Sequence, residues 1–476
     1  MGHQVGFGPD PSHAVKGLKN FLINKRQLTL CQEEVDEFNL VSNIVDFQAV
    51  EDLVDFTSKH EMNIAHHINH AVLKKAADRY GKMDVGACIK IFSKDTASGI
   101  SLMVESGNYP KSYTTTAHWI WQVAHWFEIM SARGIVHAFS FKDKEAMLKA
   151  FKFLKRFSYL ISKVILTARQ AKAVQRGEEP CLEVVQRSIL MSRKTILWLA
   201  LRILEDPEVS FFPPGRGSGD PVESHHGHLK YYQGSPNPSQ VKIFSKIISI
   251  SQFLTRVMGS NVAPDDSVFL TEFRDIKKMR EKENALEYED LDHFIVTKFD
   301  PDDFTDCTFD DYAQKNALSY FIGYVMYKTI LTQSKCDTCK KAYINDDPNI
   351  NDQYVNNLII DKDWGNGSLT RPSKLANQVF HLVEKLFKTN RAKYLNQKNI
   401  KERLVGFMHQ QILEQFDDEV PRCHIRLIIA RFMKGRLFFW ANFMNQNDEA
   451  SVNKAIAYNE SFASKTCRSK TIPELQ

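Results

Sequence analysis

Three groups of residues have the types and spacing that chemistry asks for. Asp220 and Glu223 stand three apart in GDPVESHHGHLKYYQGSPNPS, directly after the break FFPPGRGSG. Aspartate before Pro221 suits a helix start, and an acid three residues on either completes a capping box or presents a second carboxylate on an adjoining face of the same helix end. Near the N-terminus, Asp10 precedes Pro11 in FGPDPSHAVKGLKNFLIN, with a helical run expected to open at Ser12 or His13; it reads as another cap or as an acid placed for catalysis. Cys336 and Cys339 have metal-ligand spacing, and Cys423 with His424 could complete a tetrahedral zinc site; the other reading is two free cysteines on a helix end. His60, His66, His67 and His70 fit a polar helix face better than a ligand set.

Helices must position these groups. From Ala14 to about Glu205, apolar residues recur at three and four spacing, as in KEAMLKAFKFLKRFSYLISKVILTARQ and SRKTILWLALRILED. Residues 264–312 are acidic and weakly periodic, which suggests a connector or surface lobe. The last third opens with the apolar helix NALSYFIGYVMYKTIL, passes through KCDTCKKAY and a polar loop, and restarts after Pro372 with Ser373 as an expected N-cap. It closes on CHIRLIIARFMKGRLFFWANFMN, an apolar helix with basic punctuation. Strand-like alternation is scarce, so the expected fold class is mainly α.

Composition bounds the partners. The 476 residues, 43% hydrophobic with 32 Phe, can bury more than one core. Sixty-two Lys and Arg against 57 acids give +5, so overall charge does not announce a nucleic-acid binder. The basic run KTNRAKYLNQKNIKERL could touch a DNA backbone or simply be a solvated helix. Eight cysteines, mostly scattered, with no signal peptide and no long uncharged apolar stretch, suggest a reducing intracellular compartment and no membrane partner.

Taken in order, the segments DPSHAVKGLKN, GDPVESHHGHLKYYQGSPNPS, YFIGYVMYKTI, CDTC and GSLTRPS resemble those of the P-element-type DNA transposases across nearly the whole chain. The resemblance implies an RNase H-like α/β catalytic domain interrupted by a helical guanine-nucleotide-binding insertion, followed by a helical C-terminal domain. Residues 1–13 would be a remnant of the catalytic domain, 14–215 the GTP-binding-type insertion, 216–312 the remainder of the catalytic domain with its acidic connector, and 313–476 the C-terminal domain. The implied chemistry is DNA cleavage and strand transfer with two divalent ions, which asks for oxygen ligands from separate parts of the chain. Asp10 would be the second of three acids and Glu223 the third, both ligating Mg²⁺. In the insertion, Asp220 would read a guanine edge, Phe127 in AHWFEIMSAR would stack on the base beside Glu128, and Lys82 in GKMDVGACIKIFS would pair with a phosphate of GTP. Transposon-end DNA, a second copy or a full-length transposase would be the partners, in the nucleus.

One departure shapes the expectation of activity. Only MGHQVGFGP precedes Asp10, and it contains no acid. The chain is therefore expected to be an N-terminally truncated relative that lacks the first aspartate and does not cut DNA; the alternative is a domesticated, transposase-derived binding protein that acts as a repressor through nucleotide, protein or DNA binding.

Overall fold

A computed structural model describes residues 9–23, 27–65, 67–77, 85–134, 138–166, 182–217, 309–345, 357–363, 369–394, 399–416 and 419–447. The fold is mainly α, as the periodicity indicates, and the chain divides into two compact units, each assembled from separated stretches.

The first unit takes Met1–Val15, Trp126–Ile161 and Glu183–Glu289. Helix α1 (Pro11–Ile23) begins here, one or two residues earlier than the sequence suggests. The Ser12 amide donates to Asp10 Oδ1 at 2.8 Å and the His13 amide to the Asp10 carbonyl at 3.1 Å, so proline occupies the first helical position and aspartate caps it. Most of helix α8 (Lys144–Lys163) lies in this unit, burying Met147, Leu154, Phe157 and Ile161 at helical spacing and leaving its lysines outward. Trp126 stacks on Phe157 with centroids 5.6 Å apart, and Phe139 meets Phe151 edge-on at 5.0 Å. Phe139 and Phe212 exchange backbone hydrogen bonds of 2.8 and 2.7 Å, which ties the approach to α8 to the stretch after helix α9 (Leu182–Leu204).

The second unit takes Lys16–His125, Ser162–Leu182 and Asp290–Gln476. It contains what the helical reading of residues 14 to 205 passes over: a three-stranded antiparallel sheet in the order β2 (Ile44–Asp46), β1 (Gln27–Thr29), β3 (Ile165–Leu166). Leu28 pairs with Val45 on one side and Leu166 on the other, and Leu28 and Val45 are fully buried. Strands of two or three residues are too short to show a period of two, which is why the helical signal around them dominates. Between β1 and β2 runs helix α2 (Gln32–Glu37). Helix α3 (Gln48–Ser58) packs on helix α6 (Lys94–Glu105), where a Cβ added to Gly99 would lie 3.1 Å from Leu53 Cδ1. Helices α4 (His70–Ala77), α5 (Val85–Ile91) and the first part of α7 (Tyr113–Met130) complete the N-terminal half of this unit.

Its C-terminal half is built on helix α10 (Phe309–Met326), which continues as a π-helical stretch, Tyr327–Ser334, into helix α11 (Asp337–Tyr343). Helices α12 (Asn357–Asp363), α13 (Lys374–Tyr394), α14 (Ile400–Phe416) and α15 (Ile425–Asn447) surround it. Phe321 on α10 sits among Phe432 and Phe439 of α15, both centroids 5.1 Å away, and Phe380 of α13 joins Phe432 at 4.9 Å. A Cβ on Gly435 would fall 2.5 Å from Phe321 Cζ, so glycine is what lets that ring seat against α15. Arg436, read from sequence as basic punctuation, is instead fully buried: its guanidinium donates to both oxygens of Glu384, at 2.7 and 2.8 Å, and to Glu61. No helix among the described residues is long and apolar enough to cross a membrane.

Candidate metal centre and the motifs around it

The π-helical stretch ends at Lys335, which adopts the left-handed conformation with φ 49° and donates its amide to the Ile330 carbonyl at 2.7 Å. That left-handed residue stops the helix and turns the chain into α11. Cys336 then takes the extended cap position, its carbonyl accepting from the Lys340 amide at 2.9 Å, and Cys339 follows one turn later in a buried position. The opposite half comes from the foot of α15, where Cys423 and His424 precede Ile425 and the Ile428 amide bonds the His424 carbonyl at 3.0 Å. The two halves meet. Cys336 Sγ lies 3.8 Å from Cys423 Sγ, Cys339 Sγ lies 3.3 Å from Cys423 Sγ, and Cys339 Sγ lies 3.6 Å from His424 Nδ1. All four donor atoms fall within 4.8 Å of one another, and among the described residues this is the group of metal-ligating side chains that converges.

The donor set fits a tetrahedral ion. With zinc–sulfur bonds of about 2.3 Å, the sulfur–sulfur edge of a tetrahedron is about 3.8 Å, close to the separations here. Burial pushes the Cys339 thiol well above its ordinary range, and the neighbouring Cys423 and Cys336 push it the same way. The backbone N–H at Cys339, with a smaller contribution from Cys423, draws the Cys336 thiol down. Three sulfurs gathered at this spacing repel one another as thiolates unless a cation lies between them.

Two further motif segments meet each other and the end of α11. A Cβ on Gly323 would lie 2.3 Å from the Thr370 carbonyl oxygen, so YFIGYV and TRPS touch backbone to backbone through that glycine. Ile344 and Pro372 form a bridge, the Asn345 amide bonds the Arg371 carbonyl at 2.9 Å, and the Ser373 amide bonds the Tyr343 carbonyl at 2.9 Å. Ser373 Oγ donates to the Ala342 carbonyl at 2.7 Å and accepts from the Ala376 amide at 3.1 Å. It is the N-cap expected of it and also a clamp on α11. Spacing along the chain signals the cap but not the clamp.

Asp10 is placed as the cap of α1. Phe127 and Glu128 lie half-buried on α7; the Phe127 ring is tilted against Trp126 at 6.3 Å, and the Phe127 carbonyl accepts from the Ser131 amide. Lys82, Asp220 and Glu223 lie outside the described residues, as does His66. The other three histidines have separate contacts: His60 Nδ1 with the Phe56 carbonyl, His67 with Asp95, His70 with Asp55.

Residues 308–424 match the family model described as DNA transposase THAP9, C-terminal domain. Residues 308–424 are thus similar to the C-terminal domain of a DNA transposase. All four donors lie inside the transposase domain, which ends on His424. Among solved structures, the Drosophila P element transposase strand transfer complex matches with a TM-score of 0.40 and 17% identity, over 50% of this chain and 49% of that chain. The match thus spans about half the length of that transposase. No curated protein matches the chain.

Proposed function

We propose that the chain is a DNA-binding member of the transposase family whose C-terminal domain is stapled by a structural zinc ion on Cys336, Cys339, Cys423 and His424. The observation that carries this reading is the meeting of two ligand pairs more than eighty residues apart inside a recognised transposase domain. Zinc is the ion of choice for three thiolates and an imidazole in a closed tetrahedron, and it contributes folding energy rather than reactivity there. Transposon-end DNA is the partner and the nucleus its place of action.

The family chemistry is Mg²⁺-dependent cleavage and strand transfer, with Asp10 and Glu223 as two of its three acids. Asp10 accepts a capping hydrogen bond from the Ser12 amide, which engages one of its carboxylate oxygens in holding α1. This supports a polypeptide that binds without cutting. Guanine-nucleotide binding through Asp220, Phe127, Glu128 and Lys82 would leave that conclusion unchanged. The deciding assay incubates the purified chain with supercoiled plasmid and Mg²⁺ or Mn²⁺. Retention of the supercoiled form together with a mobility shift supports the reading; metal-dependent nicking lost in Glu223→Ala sinks it.

A further inference from the structure

One surface in the C-terminal half of the second unit is far more basic than the chain as a whole. Residues 324–345 carry four lysines and one aspartate, and residues 419–444 carry five arginines and lysines and one glutamate, against a near balance over all 476 positions. Arg436 is the buried, paired exception. The two stretches lie side by side and antiparallel: Gly435 meets Phe321 at one end of the seam and Cys423 meets Cys336 at the other. Helical rotation then carries Tyr324, Tyr327 and Lys328 to the same side of the seam as Arg431 and Lys434. The side-chain geometry agrees. Arg431 Nη2 donates to Gln333 Oε1 across the seam at 2.8 Å, and Lys328 Nζ sits 5.4 Å above the Tyr327 ring and 5.9 Å above that of Tyr324. Both tyrosines are exposed, at 53% for Tyr324 and 44% for Tyr327, and Phe438 beyond Lys434 is 61% exposed.

Exposed aromatic rings interspersed with cations form a platform for unpaired bases, with the cations available to the phosphates. A purely apolar docking face would not intersperse lysine and arginine at this density. Duplex DNA presents its phosphates but no free base faces for the tyrosines to stack on. We infer that the face formed by Tyr324, Tyr327, Lys328, Arg431 and Lys434 binds single-stranded DNA, the phosphates on the cations and the bases on the two tyrosines. This rests on the reading of the chain as a DNA binder and adds the form of DNA and the place where it binds.

The test is fluorescence anisotropy of the full chain with a labelled single-stranded oligonucleotide and with its duplex, each over a salt series. Tyr324→Ala with Tyr327→Ala should weaken single-strand binding at least about tenfold, since stacking on each ring contributes about that much, and should leave duplex binding nearly unchanged. Arg431→Gln with Lys434→Gln should weaken it further and lower the salt slope by about 0.7 for each phosphate that is no longer neutralised. Lys149→Gln with Lys152→Gln, which removes equal charge from the exposed side of α8, is the control and should change neither. Tyr324, Tyr327, Lys434, Lys149 and Lys152 are exposed and Arg431 is half-buried, and an unchanged melting temperature verifies the fold. If the chain binds DNA and neither seam pair weakens it more than the control, this surface is overturned and the DNA-binding reading stands. Equal loss for duplex and single strand in the tyrosine variant overturns the stacking. No binding to either DNA overturns both readings together.

Discussion

Gly323 presses its Cα against the carbonyl of Thr370 so closely that a methyl group there would stand 2.3 Å from the oxygen. The obstructing atom is backbone, tied in place by the neighbouring bonds between Asn345 and Arg371 and between Ser373 and Tyr343, so it cannot swing aside. Gly323→Ala is expected to destabilise the domain by about 2 kcal/mol or more despite alanine's better helix propensity. Chemical denaturation would show it as a lower midpoint with little change of slope.

Removing the metal should act on the same region. Treatment with a strong zinc chelator, or Cys339→Ser, is expected to abolish one equivalent of bound zinc and to lower the melting temperature of the transposase domain. Elemental analysis of the purified chain gives the stoichiometry, and calorimetry the loss of stability. A full equivalent of zinc retained in Cys339→Ser would rule out this ligand set.

Asp361 supplies a pH dependence. Burial, and after it the charge of Glu105, pushes its carboxyl from the ordinary 3.8 up to about 7. Tyr312 and Asn357 hydrogen-bond Glu105 on the same side of α6, and Asp361 Oδ2 itself has no hydrogen-bond partner. Because the folded value is raised, the folded state binds the extra proton. Stability from this group is therefore complete below about pH 4 and is lost as pH rises through 7. Asp361→Asn should flatten that decline and leave the variant more stable than the parent at about pH 8, as read from urea midpoints across the range.

Glu61 forms ion pairs across very long stretches of chain, with Arg391 and Arg436, 330 and 375 positions away. Glu61→Ala leaves the buried Arg436 with only Glu384, and Arg391 short of its partner over Phe387 and Trp440. A loss on the order of 3 kcal/mol is expected, mostly from the stranded charge rather than from the attraction itself. Glu61→Gln should cost less, because the amide still accepts a hydrogen bond. A double-mutant cycle with Arg391→Ala separates the two contributions.

What the sequence disclosed divides along a physical line. Asp10 and Ser373 were legible as caps because a cap is decided by its immediate neighbours, proline after one and before the other. The CxxC pair was legible for the same reason, and Cys423 with His424 suggested the other half by residue type alone. The sheet was hidden because Leu28 finds its partners Val45 and Leu166 through tertiary contact, with too few residues in each strand to leave a pattern. The burial of Arg436 was not legible, since nothing local distinguishes an arginine facing water from one facing Glu384 and Glu61. The contact of Gly323 with Thr370 was beyond reach as well: a glycine inside an apolar helix announces a close approach without naming what approaches.

The Cys3His cluster also sets a timetable. Cys339 and Cys423 are 84 positions apart, so a growing polypeptide exposes its first two thiols well before the remaining ligands exist. At about 5–20 residues per second, that interval is roughly 4–17 s. Throughout it Cys336 and Cys339 are a half-built claw, open to oxidation or to the wrong metal, and only the emergence of His424 lets the site close. The helix that follows His424 thus arrives with both its own apolar face and the completion signal for a fold begun nearly ninety residues earlier.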